Sequence, residues 1–198
     1  MTAPIIPEPG DGGAPSRVLV LCTANRCRSP LAAALLRARL EGSDAVVTSA
    51  GYLPGGEPVP QDGVAIAATV GLDLSAHRSS QVSAAMLQDA DLVLTAGREH
   101  ARDAVALVPD VWPRVFTLLQ AQRWFAEHAR PSGVGLGEWI ALEAAGRSPR
   151  ELVGASTDDD IVDPYRRSRR VWRSMLQVTD RATSTIAAGV HGAHLGTQ

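Results

Sequence analysis

A chain of 198 residues with 45% apolar side chains is long enough for one full core plus additional segments. Its net charge of −2 gives no bulk electrostatic pull toward nucleic acid or anionic membranes, although all 19 basic residues are arginine. No apolar run approaches the roughly 18 residues of a membrane helix, and two close cysteines without an export signal point to the cytoplasm and to reactive, not structural, sulfur.

Residues 1–16, "MTAPIIPEPGDGGAPS", lack the basic start and apolar centre of a signal peptide and read as a disordered leader. The folded region then spans 17–190. Val18 to Leu21 reads as a short buried strand. Pro30 suits the first turn of a helix that Gly42 can stop. Residues 45–51 read as a second strand, 52–60 as a loop and 61–71 as a helix ending at Gly71. A short helix over 79–90 precedes a third strand at 91–96. A helix follows over 97–108, and then a fourth strand at 114–119. Residues 120–160 read as a helical insertion broken by "PSGVGLG". Trp124, Phe125 and Trp139 have helix-face spacings there. The segment is expected to pack on its own domain, with a substrate lid or partner surface as the alternative. A last helix is expected from Asp163–Pro164 to about Ala188, and 191–198 as a loose tail. His191 and His194 in that tail are spaced like a metal-binding pair, but a solvated tail is the expectation and no metal site is assigned.

Strands alternating with helices predict a single α/β domain of the flavodoxin-like type. Four parallel strands would be flanked by helices on both faces. Ligands of such sheets sit beyond the carboxyl ends of the strands, where Cys22 falls. The loop "CTANRCRS" joins the first strand to a helix. Amides around a helix N-terminus favour an anion. A cysteine at the base of such a nest is a candidate nucleophile, because a thiolate is itself an anion. Arg28 can grip two phosphate oxygens at once. Asn25 and Ser29 can hold the loop by side-chain hydrogen bonds, and Ser29 can donate to the sulfur.

The run Cys22-Thr23-Ala24-Asn25-Arg26-Cys27-Arg28-Ser29-Pro30, together with the distant Asp163-Pro164-Tyr165, resembles the signature of the low-molecular-weight protein-tyrosine phosphatases. The segments "TSAG", "DLSAHRSSQVS" and "DADLVLTAGREH" resemble that family in the expected order. The resemblance covers roughly 17–119 and 160–187. It implies the phosphotyrosine phosphatase I-like fold and hydrolysis of protein phosphotyrosine through a phosphocysteine. Cys22 would be the nucleophile, Arg28 the phosphate clamp and Asp163 the general acid and base. Residues 23–29 (Thr23, Ala24, Asn25, Arg26, Cys27, Arg28 and Ser29) would cradle the phosphate. Asn25, Ser49 and His77 would brace the loop, and Tyr165 and Tyr52 would wall the phosphotyrosine ring. No cofactor or metal is implied. The implied partner is a tyrosine-phosphorylated protein, and a cognate tyrosine kinase is compatible with that.

The sequence departs from the family pattern at Ala24, where glycine is usual. If that position needs a positive φ, alanine is strained by about 1 kcal/mol or more. Arg26 stands on the rim, either as an exposed arginine or as a selector of anionic substrates. Cys27 reads either as a buried small hydrophobe or as a thiol that traps oxidised Cys22 in a disulfide. Asp158 to Asp160 read as a solvated turn. "RRSRRVWR" (166–173) reads as the solvated face of the last helix, its arginines paired with nearby aspartates; recognition of acidic substrate flanks is the sharper alternative. Two other functions fit the same loop: an arsenate reductase using an external thiol, and a non-catalytic phosphate-binding module.

Overall fold

The computed structural model describes residues 15–154 and 156–192. Four strands, β1 (Arg17–Cys22), β2 (Val46–Gly51), β3 (Leu92–Thr95) and β4 (Val115–Thr117), form one parallel sheet in the order β2-β1-β3-β4. Alternation along β1 explains the two layers. Val18 and Val20 join the core on one face, with Leu19 and Leu21 in that on the other. The first face is covered by α1 (Arg28–Arg39), α2 (Gln61–Ala68), α5 (Leu118–Glu127), α6 (Leu136–Glu143) and α7 (Arg169–His191). The second is covered by α3 (Ala84–Asp89) and α4 (Arg98–Leu107), with a 3₁₀ turn at Pro109–Arg114. This is the single α/β domain expected from the alternating pattern.

The chain leaves β1 toward β2 on one side and returns to β3 on the other. The crevice at that reversal opens beside the carboxyl end of β1, where Cys22 sits. Gly51 ends β2 and is in register with Cys22. A Cβ on Gly51 would lie 2.6 Å from Asn25 N and 2.8 Å from Ala24 C, so only glycine lets the loop backbone rest on the strand.

Several boundaries differ from the sequence expectation. The fourth strand stops at Thr117, not 119, because Thr117 and Gln120 form a reciprocal capping box that starts α5. The last helix begins at Arg169, not at Asp163–Pro164. Asp163 Oδ1 accepts from Tyr165 N at 3.0 Å, and Arg166 adopts a left-handed φ of 57°, so 163–168 is a turn. That helix extends to His191, whose Nε2 lies 3.0 Å from Arg39 O, so the tail is not loose there. His194 and the rest of the tail lie outside the described residues, as does the leader over 1–14. Ser16, expected in that leader, instead accepts from Val46 N at 2.8 Å.

Residues 120–160 pack on the domain itself. Leu136, Trp139 and Ile140 enter the main core, and the Trp124 ring lies 4.7 Å from Trp139 and 5.1 Å from Phe116. No helix among the described residues is long and apolar enough to cross a membrane.

Gly51→Ala is expected to destabilise the protein by about 1–3 kcal/mol and to lower turnover more than that loss of folded protein explains. Thermal melts alongside p-nitrophenyl phosphate assays check this; full activity at an unchanged melting temperature would contradict it.

Candidate active site

The loop from Cys22 to Cys27 leads straight into α1, which begins at Arg28, two residues earlier than Pro30. Its shape rests on Asn25, which is completely buried with φ 51°. Asparagine tolerates this left-handed conformation better than most residues. The expected strain at Ala24 does not arise, because the positive φ falls one residue later. Every polar group of the Asn25 side chain is used. Nδ2 donates to Ser29 Oγ and to Ser49 Oγ, each at 2.9 Å, and Oδ1 accepts from Ser80 N at 2.9 Å. His77 Nε2 lies 2.9 Å from Asn25 O and must be the donor there, since a carbonyl only accepts. Burial keeps His77 below its ordinary pKa despite that bond, so it makes the contact as a neutral ring.

Cys22 Sγ lies at the base of the loop, 3.0 Å from the buried Ser29 Oγ. Arg28 is also buried. Its Nη1 donates to Ile161 O at 3.3 Å, and its Nη2 to Thr23 Oγ1 at 3.1 Å and Asp163 Oδ2 at 2.8 Å. Its Nε is buried and has no hydrogen-bond partner among the described residues. Thr23 Oγ1 in turn lies 2.9 Å from Nε2 of His100, a buried ring whose pKa is lowered to about 4, by burial first and by Arg28 next. Glu99 Oε1 is 3.4 Å from the same nitrogen. Both cysteines are free thiols. Burial first, then Asp163 and Cys22, pushes Cys27 up to about 12. A thiol held protonated is a slow resolving partner for an oxidised neighbour.

These groups meet at one cavity of about 320 Å³, lined by Cys22, Thr23, Ala24, Arg26, Cys27, Arg28, Leu53, Asp163 and Tyr165. Tyr165 borders it, and Tyr52 does not. The Tyr52 hydroxyl donates to His100 O at 2.6 Å, and its ring stacks on His100 with centroids 6.2 Å apart. Burial pushes its phenol upward. Leu53 lines the cavity instead. Arg26 Nε donates to Pro58 O at 3.0 Å, and its guanidinium lies 5.4 Å from the Tyr165 ring centroid. A larger cleft of about 630 Å³ near Arg98, Arg123 and Asp159 contains no cysteine, and both of those arginines are ion-paired with Asp159.

The chain reaches Asp163 through an anchor that the sequence does not reveal. Asp159 is buried, not solvated. Its carboxylate accepts from Arg98 Nε at 2.6 Å, from Gln120 Nε2 at 3.0 Å and from Arg123. Asp160 accepts from Arg98 N at 2.7 Å at the start of α4, and Ile161 N bonds Ala96 O at 2.8 Å. Burial pushes the Asp159 carboxyl up, but the bonds from Arg123 and Arg98 outweigh it and leave it below the ordinary range.

The family model "Low molecular weight phosphotyrosine protein phosphatase" matches residues 17–130. The chain belongs to this family of hydrolases. It is 30% identical over 168 residues to the low molecular weight protein-tyrosine-phosphatase Etp of Escherichia coli K12, covering 84% of this chain and 88% of that one. It is 36% identical over 108 residues to a protein-arginine-phosphatase of Geobacillus stearothermophilus, covering 54% of this chain and 71% of the relative. The crystal structure of a low molecular weight protein tyrosine phosphatase from T. tengcongensis superposes with a TM-score of 0.64 at 26% identity, covering 86% of this chain and 97% of that one.

Because Asp159 has a depressed folded-state pKa, its stabilisation is fully present above the unfolded carboxyl value, about pH 4. It is lost as pH falls through the folded value. Asp159→Asn is expected to cost about 1–3 kcal/mol at neutral pH and to flatten the fall in melting temperature below about pH 4. Equal acid sensitivity of the two proteins would remove Asp159 as the anchor.

Proposed function

We propose that the protein hydrolyses phosphotyrosine in proteins through a phosphocysteine intermediate. The observation that carries this reading is the convergence of Cys22 Sγ, Arg28 and Asp163 on one cavity, with a buried Arg28 N–H left unpaired beside it. Arg28 and the loop amides of 23–29 hold the equatorial oxygens of the phosphoryl group. An incoming phosphoryl dianion replaces Asp163 as the anionic partner of Arg28 and frees the carboxyl to carry a proton. Cys22 Sγ attacks phosphorus in line. The S–P bond forms as the P–O bond to the phenol breaks, and Asp163 protonates the departing oxygen. Asp163 then takes a proton from water, water attacks phosphorus, and the S–P bond breaks. Ser29 donates to the departing thiolate. The side chains of Asn25, Ser49 and His77 keep the loop in shape.

The arginine-phosphatase relative raises a second substrate, phosphoarginine. Its guanidinium would enter beside Arg26 and Arg166, whose own guanidiniums lie 5.4 and 5.3 Å from the Tyr165 centroid. Like charge disfavours that substrate, whereas a neutral phenyl ring can pack against Tyr165 and Leu53. The protein works in the cytoplasm on this reading, opposite a tyrosine kinase.

Cys22→Ser is expected to abolish hydrolysis of p-nitrophenyl phosphate and phosphotyrosine peptides. Asp163→Asn should lower kcat on the peptides by roughly 10²- to 10⁴-fold, and less on p-nitrophenyl phosphate, whose leaving group needs the proton less. Undiminished activity of Cys22→Ser would sink the mechanism. Turnover of arsenate with an added thiol, and of no phosphoester, would make the protein a reductase. Phosphate binding without any turnover would make it a binding module. Faster cleavage of phosphoarginine than phosphotyrosine peptides would overturn the substrate assignment.

A further inference from the structure

The start of the last helix concentrates positive charge in a chain whose net charge is −2. Arg166, Arg167, Arg169, Arg170 and Arg173 are all exposed and lie within one stretch that contains no acid. α7 begins at Arg169 with no acidic residue in its first turn and no side-chain cap from Ser168. A helix N-terminus already carries partial positive charge, so cations placed there destabilise it. Arg173 also follows Arg169 and Arg170 at the i+4 and i+3 spacings, where like charges repel. The sequence suggests that nearby aspartates offset this. Among the described residues the one ion pair is Arg169 with Asp62 at 3.7 Å, both groups well exposed. Such a pair contributes little. The cluster is therefore a local electrostatic conflict that the chain's own contacts leave largely unrelieved.

Its position supplies the reason. The stretch follows Asp163-Pro164-Tyr165 without a break, and Arg166 lies over the Tyr165 ring at the cavity wall. The apolar face of α7, with Trp172, Met175 and Leu176, is buried in the core. The helix thus cannot lay an apolar face into a bilayer, which disfavours a lipid surface as the partner. From Arg169 to Arg173 the helix rises about 6 Å, the span of about two residues of extended peptide. Guanidinium groups match carboxylates in geometry as well as charge.

We propose that Arg167, Arg170 and Arg173 form a docking strip for acidic residues flanking the phosphotyrosine of a protein substrate. This rests on the phosphotyrosine reading above and adds the substrate class that the site selects. The strip lies outside the reacting atoms, so it acts on KM and on association, and its effect fades as salt shortens the screening length.

The test compares a phosphotyrosine peptide with acidic flanks, the same peptide with neutral flanks, and p-nitrophenyl phosphate, which has no flanks. Each is assayed with wild type and with the triple variant R167E/R170E/R173E. Wild type is expected to prefer the acidic peptide by about tenfold in kcat/KM at low salt, mostly through KM, with the preference shrinking as salt rises. The triple variant should lose or invert that preference and keep its activity on p-nitrophenyl phosphate. Equal kcat/KM for the two peptides in wild type, or an undiminished preference in the variant, overturns the docking strip and leaves the phosphotyrosine reading intact. Hydrolysis of p-nitrophenyl phosphate but of neither peptide overturns both. Cosedimentation of wild type, but not the variant, with phosphatidylserine vesicles, together with no peptide preference, would reassign the strip to a membrane surface.

Discussion

A loop can present its amides to an anion only if something fixes the backbone in a shape it would not otherwise hold. Here that constraint is Asn25. It sits with no exposed surface in a left-handed conformation, and its amide is saturated by Ser29, Ser49 and the Ser80 backbone. Leaving one of those buried groups unpaired costs about 1–3 kcal/mol, so the bonds act together to hold the turn. The consequences run outward from this residue. Ser29 Oγ, fixed by Asn25, lies 3.0 Å from Cys22 Sγ. His77 and Ser80 are drawn in from a segment some fifty residues downstream. The loop is thus tied to β2 and to the chain that follows it, not to its own sequence neighbours alone.

The second half of the site arrives by a separate route. Asp163 lies 135 positions from Arg28 in the sequence, yet their side chains meet at 2.8 Å. That meeting depends on three successive anchors. Asp159 is clamped between α4 and α5, Asp160 caps the first turn of α4, and Ile161 bonds the end of β3 and the Arg28 guanidinium. The clamp joins an arginine of the strand-helix scaffold to one at the start of the 120–160 region. That region therefore helps hold the segment that brings the acid to the cavity.

The sequence exposed the parts of this design that are local. Apolar runs and glycines marked the strands, and the loop motif and the distant Asp-Pro-Tyr marked both halves of the site. Long-range partnerships stayed hidden, because nothing near residue 100 announces a contact with Thr23, and nothing in three consecutive aspartates says which one is buried. The family resemblance implies a wall role for Tyr52, and nothing local in the sequence shows where its side chain turns. Its hydroxyl is turned toward His100 O, and the smaller Leu53 faces the cavity. The last helix also starts later than its local signal predicts. Proline after aspartate is a good opening signal, but Asp163 has its carboxylate committed to Arg28 and to Tyr165 N, and the left-handed Arg166 keeps 163–168 a turn.

The close approach of Gly51 to the backbone of Ala24 and Asn25 bears on how freely the motif can vary. Strand β2 is a mould against which the loop is cast, and the mould lies in the rigid sheet. Shape is then inherited from the sheet, and the side chains on the outer side of the cast are released from maintaining it. Alanine at 24 and arginine at 26 are compatible with an intact nest for that reason. Evolution can retune the mouth of the cavity through these outer positions while the loop backbone beneath them stays the same.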